Sequence, residues 1–199
     1  MRSELVTQHP DFRALASIPG LAVDLRYASA RNFVGRNLYG DTDCAWLHRQ
    51  AAAGVQTAVD SLADTHPQLR LVVLDALRPH RVQEALWEHL EGTDLRQYLA
   101  DPARGSIHSY GMAVDVTLLQ QDGTELDMGT GFDALSIVSH PQHETEHLQN
   151  GLLSPTHIAN RRVLRGAMVG SGFQAISTEW WHFDFGDRDV VRQKFVRVE

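Results

Sequence analysis

Apolar residues along this chain follow two periods, and the changes between them divide it into strands and helices. Residues 21–27, LAVDLRY, alternate well enough for a short strand. Residues 28–44, rich in Asn, Gly and Asp, have no period and read as loop. From Ala45 to about His66 the spacing turns helical, with Leu47, Val55, Val59 and Leu62 near one face, and Pro67 ends the run. Leu69–Leu74 is apolar except for Arg70, which predicts a buried strand. Pro79 suits a first helical turn, followed by a buried stripe of Val82, Leu86 and Leu90.

The second half reads the same way. Residues 101–111 are loop-like, Met112–Leu118 returns to strand, and Asp-Gly centres a turn at Gln121–Thr124. Residues 129–151 are polar and read mainly as loop. Ser154 is an N-cap with Pro155 in the first turn, opening a helix through Met168 that Gly170 and Gly172 close. Phe173–Phe185 holds two aromatic strand segments bent at Ser177-Thr178-Glu179. No repeat, low-complexity tract or linker interrupts the pattern. It predicts one α+β domain over residues 1–199, a mainly antiparallel sheet flanked by helices.

At 199 residues and 43% hydrophobic, the chain can bury a core without disulfides or a structural metal, so a metal here is free to serve chemistry. The net charge of −7 comes without any basic run, which argues against nucleic acid and anionic membranes as partners. The single cysteine, Cys44, excludes an internal disulfide and has no partner motif for a nucleophile. No stretch approaches the ~20 apolar residues of a membrane span, and the first ten residues lack the apolar core of a signal peptide. The expected location is the cytoplasm.

Two stretches carry candidate chemistry. In Ser106-Ile-His108-Ser-Tyr-Gly111-Met-Ala-Val-Asp115, an imidazole and a carboxylate lie seven residues apart. A straight strand would send them to opposite faces, but Gly111 offers a bend that lets them converge. Zinc favours such ligands and, in catalytic sites, leaves one position open. An ordinary loop histidine and strand aspartate would give the same pair. In Glu179-Trp-Trp-His182-Phe-Asp184-Phe, aromatic and polar residues alternate, so His182 has a dry, rigid setting that suits a ligand. Glu179 has the wrong parity for that face and must sit on a bend, where side chains are often re-aimed. Alone, it could equally be a surface glutamate beside a core histidine.

Together, Ser-x-His-x6-Asp and a distant Glu-x-x-His resemble the zinc peptidase family of D-alanyl-D-alanine dipeptidases of the vancomycin-resistance type. The likeness extends to Asp24-Leu-Arg-Tyr27 with Asn32-Phe33, Asp75-Ala-Leu-Arg78-Pro79, Met128-Gly-Thr-Gly-Phe-Asp133, Asn160-Arg-Arg162 and Ser171-Gly-Phe173, in the family's order. The resemblance implies one Zn2+ per chain held by His108, Asp115 and His182, with Glu179 as catalytic base. It also implies that Arg78 stabilises the transition state, that Tyr27 and Asp133 face the ammonium of a small dipeptide substrate, and that Ser106 lines the site. These roles make chemical sense. Two imidazoles and one carboxylate leave the ion a net positive charge that acidifies water, and a carboxylate can take the proton and return it to the leaving amine. Arg78 could instead be a structural ion pair with Asp75.

Hydrolysis of such a dipeptide would divert it from cell-wall precursor synthesis or recycle its alanine. Two alternatives share the metal site. A D,D- or L,D-carboxypeptidase of murein peptides would admit a longer acyl side and have no need of Asp133. A non-catalytic zinc-binding recognition domain would have no use for Glu179. A separate His143-Glu-Thr-Glu-His147 matches the H-E-x-x-H zinc pattern, which works on a helix. Pro141 and Asn150-Gly151 bracket it, little within it is apolar, and no suitable third ligand follows, so chance explains it better. No G-x-S-x-G elbow is present.

Overall fold

The computed structural model describes residues 1–199. Its main sheet has five strands: β2 (Ala22–Val23), β4 (Arg70–Asp75), β5 (Ala113–Leu119), β6 (Phe173–Ala175) and β7 (His182–Phe185). Their spatial order is β2-β4-β5-β7-β6; β2 runs parallel to β4 and the other pairings are antiparallel. A two-stranded ribbon joins β1 (Phe12–Ala14) to β3 (Trp46–His48). Five α-helices accompany the strands: α1 (Arg49–Thr65), α2 (His80–His89), α3 (Glu144–Gln149), α4 (Pro155–Gly170) and α5 (Arg188–Lys194). The α+β class expected from the pattern is the class observed.

Alternation along the strands gives the sheet two unlike faces. Val114, Val116 and Leu118 of β5 and Phe183 of β7 join one core with Val55, Val59 and Leu62 of α1 and Leu164 and Met168 of α4. Each such side chain, fully buried, contributes up to ~1.5–3 kcal/mol. The other parity of the same strands carries Asp115, Thr117, His182 and Asp184. The helices thus cover the apolar face, and the polar face is left for the site.

Three expectations shift. The helix expected from Ala45 starts at Arg49, because Trp46–His48 is held extended by pairing with β1, and the His48 ring accepts from Gln50 N as an N-cap. The strand expected over residues 21–27 is only Ala22–Val23; a 3-10 turn at Arg26–Ala28 follows and buries Tyr27. Within 129–151, α3 is a short helix the apolar pattern does not show. Its anchor is electrostatic: the buried Glu144 pairs with Arg161 and Arg165 of α4.

Candidate metal centre and active site

Asp115 and His182 are direct cross-strand partners on β5 and β7, so their side chains leave the same face of the sheet side by side. His108 comes from a 3-10 turn, Ile107–Tyr110, that ends at Gly111 in the left-handed region (φ 64°). That bend brings His108 back over Asp115, which the seven-residue spacing on a straight strand would have placed on the opposite face. Only glycine fits it: a Cβ there would stand 2.7 Å from the His48 backbone nitrogen.

The three side chains converge. His108 Nε2 lies 3.1 Å from His182 Nδ1 and 3.4 Å from Asp115 Oδ1, and His182 Nδ1 lies 2.9 Å from that oxygen. Tetrahedral ligands at zinc distances stand roughly 3.3 Å apart, so the spacing fits a single ion. The outward nitrogens decide what the inward ones are. His108 Nδ1 meets the Ala76 carbonyl at 2.8 Å, and His182 Nε2 meets Asp184 Oδ1 at 2.9 Å. Both partners accept, so both outward nitrogens donate. In the neutral rings, two lone pairs and a carboxylate then point at one spot, an arrangement that calls for a cation. This His-Asp-His group can hold a metal.

Electrostatics follow from burial. Burial disfavours charge on Asp115, but His108 and His182 outweigh it and hold the carboxyl well below its usual range. Burial likewise opposes a charged His182, yet Asp184 and Asp115 raise it well above an ordinary histidine. Glu179, on the bend before β7, puts Oε2 4.0 Å from His182 Nδ1. Burial pushes its carboxyl up to about 7, only partly countered by His182 and Arg78.

Arg78 lines the same cavity, and the structural reading of it also holds: Nε donates to Asp75 Oδ2 (2.7 Å), Nη1 to Gln83 Oε1 (2.9 Å) and Nη2 to Asp115 Oδ2 (3.2 Å). Its partner Asp75 was not legible as part of the site. In a regular strand Asp75 would share the core-facing side of Val73. A bulge between Val73 and Asp75 turns it to pair with Asp115 instead. Tyr39 hydroxyl and Ala76 N bind its other oxygen.

Tyr27 donates to Asp133 Oδ1 at 3.1 Å, and its ring lies 5.0 Å from the Arg78 guanidinium carbon. Asp133 is the only non-glycine residue with positive φ (59°), a conformation that costs energy and often marks function. Its Oδ2 is buried without a partner, and burial, with Asp115 nearby, raises its carboxyl well above the usual range. A ligand cation would relieve both. Tyr27, Arg78, Ser106, Asp133 and Glu179 all line one cavity of about 220 Å³ with the His-Asp-His group. Trp181 lines it too, whereas Trp180 turns its Nε1 to Thr130 Oγ1. Sequence reasoning gave Asp75 a role only as the alternative ion-pair partner of Arg78, and none to Asp184, Arg188 or Arg192; for Asp184, its shared parity with His182 was the available signal.

The H-E-x-x-H segment forms no such centre. His147 Nε2 bonds the Ile137 carbonyl at 2.9 Å, and Glu144 is tied to the α4 arginines.

Residues 11–199 match the Peptidase_M15 family, described as D-ala-D-ala dipeptidase. The chain is 38% identical over 166 residues to a D-alanyl-D-alanine dipeptidase of Escherichia coli K12, covering 83% of this chain and 79% of that one. It is 31% identical over 197 residues to one of Enterococcus faecium, covering 89% and 92%. The solved structure of the LdcB LD-carboxypeptidase is similar at 15% identity and TM-score 0.45, over 93% of this chain and 72% of that chain.

Proposed function

Because this chain belongs to the D-ala-D-ala dipeptidase family of peptidases, we propose that residues 1–199 form one zinc dipeptidase domain acting on D-Ala-D-Ala or a close D-amino-acid dipeptide. The observation that carries the reading is the convergence of His108 Nε2, Asp115 Oδ1 and His182 Nδ1 within 2.9–3.4 Å, with Glu179 4.0 Å from the last. Such a donor set suits Zn2+, which when bound supplies Lewis acidity for hydrolysis.

Glu179 takes the proton of the attacking water and returns it to the leaving amine, from a carboxylate that the bend before β7 holds beside His182. Arg78, held rigid by Asp75, Gln83 and Asp115, faces the developing oxyanion, a contribution of about 3–4 kcal/mol. Asp133 and Tyr27 receive the substrate ammonium, and Ser106 lines the cavity beside His108. The cavity, about 220 Å³, lies below the ~300 Å³ lower end of drug-sized sites and suits a very small ligand.

The test is metal content measured beside release of free D-alanine from D-Ala-D-Ala. Glu179→Ala is expected to keep its metal and lose roughly 10²–10⁴-fold in kcat; His182→Ala should lose both. A fully active Glu179→Ala enzyme would end this mechanism. Undiminished turnover of an N-acetylated dipeptide would favour a carboxypeptidase. Zinc-loaded protein inert toward a panel of D-amino-acid dipeptides would favour a recognition domain.

A further inference from the structure

A free dipeptide carries a carboxylate as well as an ammonium, and the cavity must meet both ends. Three arginines line it: Arg78, Arg188 and Arg192. Arg78 is committed to Asp75, Asp115 and Gln83 through three separate nitrogens. Arg188 is bound through Nε, at 2.6 Å, to the buried Asp184. Arg192 differs. Its Nε donates to the Gly105 carbonyl (3.2 Å) and its Nη1 to Asp189 (3.2 Å), an aspartate whose side chain is 70% exposed. No hydrogen bond engages Nη2. Arg192 is thus the one cavity cation whose charge no buried anion neutralises.

We propose that Arg192 receives the C-terminal carboxylate of the dipeptide and makes the enzyme selective for a free acid. This rests on the dipeptidase reading above. The anchoring bond to Gly105 sets the guanidinium next to Ser106, which also lines the cavity and adjoins the turn bearing His108. The opposite charge is built elsewhere: Asp133 with Tyr27, packed with Arg78 beyond the end of β4. The His-Asp-His group meets that anionic pair through Arg78, which binds Asp115, and meets α5, the helix that carries Arg192, through Asp184, which binds both His182 and Arg188. The metal group therefore stands between an anionic and a cationic pole, a match for a zwitterion with its amide bond in the middle. Arginine can offer two parallel N–H groups to a carboxylate, and the competing Asp189 is solvated and easily displaced.

The test compares D-Ala-D-Ala with its C-terminal amide, D-alanyl-D-alaninamide, in wild type, Arg192→Ala and Arg192→Lys, with melting temperatures recorded. Wild type should prefer the acid by about 10-fold or more in kcat/KM. In Arg192→Ala the KM for the acid should rise roughly 10- to 100-fold with kcat less affected, and the acid-to-amide ratio should fall toward one. Lysine should restore part of the ratio. If Arg192→Ala fails to fold, Arg192→Gln gives the same readout. A wild type indifferent to amidation, or a folded variant with the wild-type ratio, overturns the inference while leaving the dipeptidase standing. A wild type inert toward both compounds overturns the dipeptidase reading and this inference with it.

Discussion

Asp184 stands two residues beyond His182 on the same face of β7 and accepts from its Nε2 at 2.9 Å, while Arg188 grips the second carboxylate oxygen. This pair fixes which ring nitrogen faces the other donors. With the proton kept on Nε2, the Nδ1 lone pair stays aimed at His108 and Asp115. Losing such a partner typically weakens metal affinity by ~10–100-fold. Asp184→Ala is expected to show that loss in a chelator-competition titration, and Asp184→Asn a smaller one, because an amide oxygen still accepts. Equal affinities in all three proteins would show that His182 is oriented by strand packing alone. The same fine control operates at Asp75, whose carboxylate ties Arg78, Tyr39 and the backbone of Ala76 together beside the site.

At the scale of elements, the site depends on how closely α1 lies against the sheet. Gly54 on that helix faces the rings of Phe185 and Phe173, and a Cβ there would come within 2.7 and 2.8 Å of them. Propensity alone favours Gly54→Ala by about 1 kcal/mol. Overpacking costs ~1–3 kcal/mol, and with both rings in the core layer it wins. Gly54→Ala is therefore expected to lower stability in urea denaturation by roughly 1 kcal/mol; a more stable variant would mean that the rings move aside freely. On the opposite side, residues near the C-terminal end brace the turn that bears His108. Val198 is fully buried, donates to the Ser109 carbonyl and accepts from His80 N, each at 2.8 Å.

For the molecule as a whole, the core and the metal group are separate constructions on two faces of one sheet. The apolar cluster of α1, α4, β4, β5 and β7 includes none of His108, Asp115 and His182. Chelation is therefore expected to leave the far-ultraviolet circular dichroism unchanged while lowering the melting temperature. At a metal concentration 1,000 times Kd the lost stabilisation is ~4 kcal/mol, and each kcal/mol shifts a chain of this size by about 2–4 °C. A drop of roughly 8–16 °C on adding EDTA, reversed by Zn2+, is the expected result. Collapse of the secondary structure would instead make the metal part of the fold. No helix here is long and apolar enough to cross a membrane.

The amino-acid sequence by itself determined the strands β4 and β5, the run of α4 from its Ser154 cap, and the glycine bend that lets His108 and Asp115 converge. Each depends on local chemistry: side-chain period, a capping hydroxyl, a backbone angle only glycine takes easily. It also marked His182 and Glu179, a polar residue in an aromatic strand and a glutamate of wrong parity, but only the resemblance to the dipeptidase family set them above a surface glutamate beside a core histidine. Tertiary structure alone decided the rest. The pairing of Trp46–His48 with β1 displaced the start of α1, the bulge before Asp75 turned that carboxylate to the site, and ion pairs to α4 held α3 in place. Likewise, the committed partners of Arg78 and Arg188, and the freedom of Arg192, arise from residues brought together across the fold. Contacts between distant segments leave no period in the chain, so only the folded molecule reveals them.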